Sequence, residues 1–413
     1  MGPVDAKGSR GAAWSTRREF LAAGTAPLII GGLARAAEPA PPPTQFDRKI
    51  KIGLIGAGGR GRWIANLFRQ HGGFEFHAVA DYFQDVAVAA GKALGVEDAR
   101  CFGGLQGYKK LIASGVEAVI IIDVPWFYPE QAKAAVVAGC HVYTAKPVAT
   151  DVPGVLAIGD AGKLATQKKL CFLADYQMPT APANIEVATR IWGGALGPLA
   201  HATSTGFAGQ WADPPRGATI ENLLRGGAWL SDTALSGDSI VSYDIHAIDA
   251  AVWVLRQRPV AASGASRQAR PNPQGDYRDV ASVVFEMPDG VIWTHRCQSL
   301  TNNEDSVLLC QFHGQSANAQ INYWGKAFVR GGDKHYSGSV DSLYDTGAQH
   351  NVATFYQSIA EGRFGNPTVQ RAVDGTLAAI LGREAAARHT RLTMDELLKE
   401  NKRLEVNLEG LKA

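Results

Sequence analysis

Ile50-Lys51-Ile52-Gly53-Leu54-Ile55-Gly56-Ala57-Gly58-Gly59-Arg60-Gly61 is the stretch on which the fold turns. A short apolar, β-rich run meets glycines spaced G-x-G-x-x-G, and a helical stretch follows through Leu67. The first glycine makes a tight turn, the second lets the backbone approach a pyrophosphate, and the third allows close packing of helix on strand. The helix N-terminus then faces the phosphates. Gly56, Ala57, Gly58, Gly59, Arg60 and Gly61 are therefore the expected cofactor loop.

A second strand, Phe74 to Ala80, ends at Asp81, twenty residues past Gly61, where an acid binds a ribose 2′-hydroxyl. A carboxylate there repels a 2′-phosphate, and no Lys or Arg lies between Asp81 and Lys92 to offset it, so NAD is expected over NADP. The alternation continues with a helix to about Leu94, a helical segment around Leu105 to Ser114, a strand Ala118 to Ile122, a helix Glu130 to Ala138 and a strand His141 to Tyr143. This pattern predicts a parallel α/β sheet covered on both faces. Its ligand-binding edge carries Gly56, Asp81, Pro125 and Lys146.

Upstream, Ser15-Thr16-Arg17-Arg18-Glu19-Phe20-Leu21 leads into an apolar, glycine-containing run to Gly32 and an Ala34-Arg35-Ala36 exit. That order predicts a twin-arginine export signal cleaved after Ala36, a periplasmic or otherwise exported protein, and no stable membrane anchor. Glu38 to Pro43 reads as an extended proline-rich linker. The expected organisation is a signal over 1–36, a linker over 37–48, a Rossmann domain over 49–170, an α+β substrate and oligomerisation domain over 171–388, and a C-terminal helix over 389–413. Without residues 1–36 the 413-residue chain keeps 36 basic and 37 acidic side chains, and neither sign forms long blocks, so no nucleic-acid footprint is present. The five cysteines are scattered and lack a Cys-x-x-Cys pair, and no His-x-His or His-x-x-x-His occurs, so buried thiols and no metal site are expected.

The glycine loop, Pro125-Trp126-Phe127-Tyr128-Pro129-Glu130, and Ala138 through Val148 with its Ala145-Lys146-Pro147 resemble the glucose-fructose oxidoreductase and inositol dehydrogenase family, written Gfo/Idh/MocA. Gly237-Asp238-Ser239-Ile240-Val241, His246-Ala247-Ile248-Asp249 and Ala379 through Ala386 are similar to its exported branch. The resemblance implies an α/β chain: an N-terminal Rossmann domain joined to a C-terminal α+β domain with a large, mostly antiparallel open sheet. It also implies hydride transfer between NAD(P) and a carbohydrate or polyol, and a homo-oligomer. The second half itself reads as strands over Leu199–Phe207, Val260–Ser266, Ala281–Met287, Val291–Gln298, Ser306–His313 and Ala319–Tyr323, with a Pro288-Asp289-Gly290 turn. Helices over Asn351–Ile359 and Ala372–Ala386 return towards the first domain, and Thr393-Met394-Asp395-Glu396 opens a last helix as a capping box.

The resemblance implies that Lys146 sits between nicotinamide and substrate and that His246 carries the proton of the reacting hydroxyl. An amine and an imidazole suit those tasks when burial tunes them. Two family positions differ: Ala145 stands where Glu is usual, and Ser242 stands where many members place an acid four residues before the histidine. Asp249, three residues beyond His246, shares its helical face and is the expected supporting acid. Tyr176-Gln177-Met178-Pro179 replaces a glutamine followed by two arginines. Tyr128, Gln177, Trp211 and Tyr243 are candidate substrate contacts, each also suited to packing. Because an exported enzyme meets no soluble NAD pool, a retained, internally recycled cofactor is expected. Sugar-sugar oxidoreduction, epimerisation or oxidation with elimination at a glycoside then stand beside simple dehydrogenation, and a sugar-binding protein on the same scaffold is the non-catalytic alternative.

Overall fold

The computed structural model describes residues 46–413, so the expected export signal and nearly all of the linker lie outside the described residues. Six strands form the first sheet: β1 Ile50–Ile55, β2 Phe74–Ala80, β3 Cys101–Phe102, β4 Ala118–Ile121, β5 His141–Ala145 and β6 Phe172–Asp175. Their order is β3-β2-β1-β4-β5-β6, and every pairing is parallel. Strands such as β4 and β6 are buried at every residue, as helices on both faces require. The order reverses between β1 and β4, which opens a crevice at their C-terminal ends. β6 carries this sheet to Asp175, five residues past the expected boundary; like β3 it is too short to announce itself by periodicity.

The second sheet contains β7 Leu199–Ala208, β8 Ala261–Arg267, β9 Val280–Glu286, β10 Ile292–Ser299, β11 Val307–Gly314, β12 Asn318–Asn322, β13 Gly325–Arg330, β14 Tyr336–Val340 and β15 Leu392–Thr393. Their order is β14-β13-β12-β11-β7-β10-β9-β8-β15. Only β7 and β10 pair in parallel; the other pairings are antiparallel. Alternate residues face inward, so β10 buries Trp293, His295 and Cys297 while Ile292 and Arg296 stay exposed. The six expected strands are present with ends shifted by about a residue; β13, β14 and the two-residue β15 are additions.

Helix Pro367–Arg388 packs against helix Ile245–Leu255, β8 and helix Val152–Gln167, and so binds the second sheet to the first. Asn366 at its start accepts from Phe172 N at 2.8 Å, and Arg383 Nη1 donates to Thr150 O at 2.9 Å and Gly237 O at 3.1 Å. These bonds fix the end of the first sheet against the segment that leads to His246. The capping box at Thr393 and Glu396 forms, but its helix covers only Met394–Glu400, a correction to the helix expected over 389–413. Asn401 takes a left-handed conformation there, and the tail beyond finds tertiary partners: Trp126 Nε1 donates to Leu404 O at 2.8 Å and Leu105 N to Lys412 O at 3.0 Å. All five cysteines are buried and free. Among the described residues no helix is long and apolar enough to cross a membrane.

Candidate active site

The glycine loop has the geometry its spacing calls for. Gly56 adopts φ +84°, and its N donates to Ala80 O at 2.8 Å. A Cβ on Gly61 would strike the Gly56 carbonyl, whereas a Cβ on Gly58 or Gly59 would meet nothing within 4 Å. The start of helix Gly59–His71 therefore opens onto free space, a cavity of about 450 Å³ lined by the loop glycines, Asp81, Asp123 and the segment Leu224–Gly227 with Trp229. Asp81 accepts from Ala57 N at 2.8 Å and Phe83 N at 2.9 Å, which holds its carboxylate at the cavity edge. Burial raises its carboxyl above the ordinary range while those two N–H groups oppose the rise.

Two features of this cavity are invisible in the local sequence. Asp123, at the end of β4, accepts from Val124 N at 2.8 Å and Gln131 Nε2 at 2.6 Å, and burial, reinforced by Asp81, pushes it up to about 6. Arg225, from a distant turn, lies 3.9 Å over the Phe83 ring and 3.4 Å from Asp85. The cation that the window from Asp81 to Lys92 lacks thus comes from elsewhere in the chain, so the carboxylate argument against NADP does not stand alone. Pro125 is buried in a single 3-10 turn, Pro125–Phe127; its neighbours Val124 and Phe127 line the cavity instead.

Lys146 follows β5 in a cis Lys146–Pro147 turn, and its Nζ donates to Ser242 O at 2.6 Å. Burial lowers it to about 7; Arg60 adds to the drop, while Asp175 and Asp244 oppose it. His246 lies in the first turn of helix Ile245–Leu255, 7% exposed, with its ring edge-on to Tyr323 at 4.9 Å. Its Nδ1 is buried with no hydrogen-bond partner among the described residues. Burial, then the charges of Lys146 and Arg60, hold this imidazole well below its usual range, so it is neutral. The two expected proton carriers are therefore brought into one buried centre.

Arg60 joins that centre to the cavity. It lines the cavity, lies 3.6 Å from Asp175, and packs on the paired rings of Trp63 and Tyr344 at 4.4 and 4.9 Å. Asp175 also accepts from Gln177 at 3.1 Å and Asn351 at 2.8 Å, and Gln177 in turn accepts from the Tyr323 hydroxyl at 2.8 Å. Gln177 thus braces the centre from below, fully buried. Tyr128 is buried at the head of helix Tyr128–Ala138, where burial and the charges of Asp123 and Asp175 raise its hydroxyl and the Arg60 guanidinium opposes the rise. Tyr243 is half-buried beside Asp244.

Two expected site residues are placed elsewhere. Asp249 accepts from Arg371 Nε at 3.1 Å and makes no hydrogen bond to His246. Helical spacing set it on a shared face, but Gly375 lets helix Pro367–Arg388 approach so closely that Asp249 is absorbed into that contact. Trp211 packs on Tyr277 at 5.1 Å and accepts the Tyr277 hydroxyl bond on its carbonyl, which makes it part of a loop clasp. Arg225, Asp123, Asp175 and Tyr323 were missed because only the folded chain gathers them; the single local sign was an acid ending a strand.

Fold and site define a class: a dinucleotide-dependent oxidoreductase with a glycine cradle on a parallel sheet and a lysine–histidine centre where the second sheet's helices meet it. The oxidoreductase-family model for the NAD-binding Rossmann fold matches residues 50–175, and the GFO/IDH/MocA C-terminal domain model matches residues 185–319. The chain belongs to the Gfo/Idh/MocA family of NAD-binding oxidoreductases. It is similar to an inositol 2-dehydrogenase of Acidothermus cellulolyticus, 26% identical over 256 residues, 60% of this chain and 65% of that one. A glycosyl hydrolase family 109 protein of Streptomyces niveus is 26% identical over 249 residues, 56% of this chain and 49% of that one. The matches thus span about half to two thirds of these curated relatives. A levoglucosan dehydrogenase solved with NADH and levoglucosan shares the fold at TM-score 0.70 and 18% identity, covering 84% of this chain and 100% of that one.

Proposed function

We propose that this protein is an exported NAD-dependent oxidoreductase acting on a hydroxyl of a carbohydrate or polyol, with Lys146 and His246 handling the proton. The observation that carries the reading is Arg60, which lines the dinucleotide cavity and acts electrostatically on both Lys146 and His246. Gly56 to Gly61 would hold the pyrophosphate and Asp81 the adenosine ribose; the nicotinamide, when bound, supplies the hydride acceptor or donor. Lys146, with its proton loosened to about 7, hydrogen-bonds the reacting hydroxyl and stabilises the alkoxide as its proton leaves. The unpaired Nδ1 of neutral His246 accepts that proton or a bond from the neighbouring hydroxyl. The names of the inositol and levoglucosan dehydrogenases support a polyol or sugar substrate.

Export through the twin-arginine route and a homo-oligomeric assembly belong to the same reading, as does a cofactor retained through the cycle. The test is to denature protein purified from an export-competent host and identify the released nucleotide by mass spectrometry, then to assay a panel of sugars, polyols and glycosides. Stoichiometric NAD(H), with turnover lost in Lys146→Met, is the expected result. An empty protein that gains no thermal stability from NAD overturns it. The similarity to a family 109 protein favours one second reading, oxidation and elimination at a glycoside with the hydride returned; release of the aglycone without net NADH formation distinguishes it.

A further inference from the structure

Behind Lys146 runs a chain of buried side chains that the mechanism above does not use. Asp244, 1% exposed, lies 2.9 Å through Oδ2 from His295 Nε2. His295 Nδ1 lies 2.8 Å from Ser204 Oγ, which accepts from Trp293 Nε1 at 2.8 Å. An ionised carboxylate only accepts, so His295 donates to Asp244 through Nε2, while Ser204 Oγ, which accepts from the indole, meets Nδ1 with its remaining hydrogen or lone pair. The chain ends on Trp293, so it passes no proton onward; it holds a carboxylate in place. The seat is shaped for that group, because a Cβ on Gly206 would collide with Asp244 Oδ1.

The neighbouring charges show what the carboxylate faces. Lys146 feels Arg60, Asp175 and Asp244 and itself acts on His246; Asp244 feels His295, Cys297 and Lys146, and acts on Tyr243. Asp175 is already engaged by Arg60, Gln177 and Asn351. Asp244 has no Arg or Lys within ion-pair distance among the described residues, and Lys146 is the cation that acts on it. Ser242, where many family members carry an acid, offers Lys146 only its backbone carbonyl.

We propose that Asp244, seated on Gly206 and held by the His295–Ser204–Trp293 chain, is the positioning carboxylate of the Lys146 site and supplies the negative charge that Ser242 cannot. A buried ammonium beside a guanidinium keeps its proton within working range only when a carboxylate opposes them. His295 serves by donating to Asp244, which keeps that buried carboxylate ionised and oriented. The inference rests on Lys146 being the proton-handling group, but its test does not need turnover.

The experiment is competitive acetylation of the purified holoprotein with trace acetic anhydride from pH 5.5 to 10, following Lys146 by mass spectrometry. Wild type is expected to inflect near 7. Asp244→Asn, the same size without the charge, moves the inflection down by about one pH unit or more. His295→Leu, which removes the donor, moves it the same way; His295→Gln, which keeps an N–H donor, restores it. Arg60→Gln moves it up. An unmoved inflection in both Asp244→Asn and His295→Leu overturns the proposal, as does a downward move in Arg60→Gln that matches theirs. Should Asp244→Asn fail to fold, the His295 pair decides alone. Turnover surviving in Lys146→Met refutes the catalytic reading instead, and leaves the titration of Lys146 to judge Asp244 by itself.

Discussion

Asp123→Asn is expected to stabilise the nucleotide-free protein, increasingly so as pH rises. Asp123 is half-buried at the end of β4, and its carboxyl is pushed from 3.8 up to about 6, first by burial and then by Asp81. The folded chain holds this proton more tightly than the unfolded chain does. Its contribution to stability is therefore complete below the ordinary value and is lost as pH rises through about 6. The gap corresponds to about 3 kcal/mol in all, of which roughly 1.4 kcal/mol falls between pH 5 and pH 8. Asparagine has the same shape and no charge to bury. Its carbonyl keeps the bond from Val124 N, and its amide can donate to Gln131 Oε1, which is buried without a partner, once that side chain turns over. Urea unfolding at the two pH values measures the difference: the advantage of the variant over wild type should grow by about 1.4 kcal/mol from pH 5 to pH 8. An advantage that stays constant across that range refutes the reasoning, because it would mean that Asp123 does not titrate there.

Other outcomes follow from the same geometry. For the substrate found in the panel, kcat/KM should be level below the Lys146 value near 7 and fall about tenfold per pH unit above it, as the ammonium that steadies the alkoxide is lost, and Lys146→Arg, which keeps its charge, should remove that limb from a pH–rate series. Gly61→Ala, which drives a Cβ into the Gly56 carbonyl, should abolish NAD binding in calorimetry, whereas Gly59→Ala, with open space around its Cβ, should weaken it by less than tenfold. Arg225→Ala removes the side chain that stacks on Phe83 at the cavity rim, so stopped-flow displacement should show NADH leaving about tenfold faster, a loss of about 1.4 kcal/mol. Asp249→Ala leaves Arg371 without its buried partner; it should cost about 3 kcal/mol in unfolding and leave the shape of the pH–rate profile unchanged.

The strand, glycine turn, helix, strand and acid of residues 50–81 are determined by neighbours in the chain, and their spacing suffices to specify a dinucleotide cradle. Gly56 and Gly61 can be read this way because each glycine answers a local demand, a left-handed turn or a contact with a backbone five residues away. Much of the second sheet was equally legible, since inward and outward residues alternate along β9, β10, β11 and β12. Lys146 and His246 stood out through their family motifs. Their electrostatic partners did not: Arg60 meets Asp175 across 115 residues of chain, and Asp244 meets His295 across a helix and two strands. Asp249 shows the converse. Its spacing on the helix put it beside His246, but the packing of Pro367–Arg388 claimed its carboxylate for Arg371. Hydrogen-bonding turns and periodic strands depend on local order, so the sequence by itself determined the cradle and the layers. Burial and charge pairing depend on which elements meet, so the tuning of Lys146, the neutrality of His246 and the reach of Arg225 over the cofactor cavity were decided only by the tertiary structure.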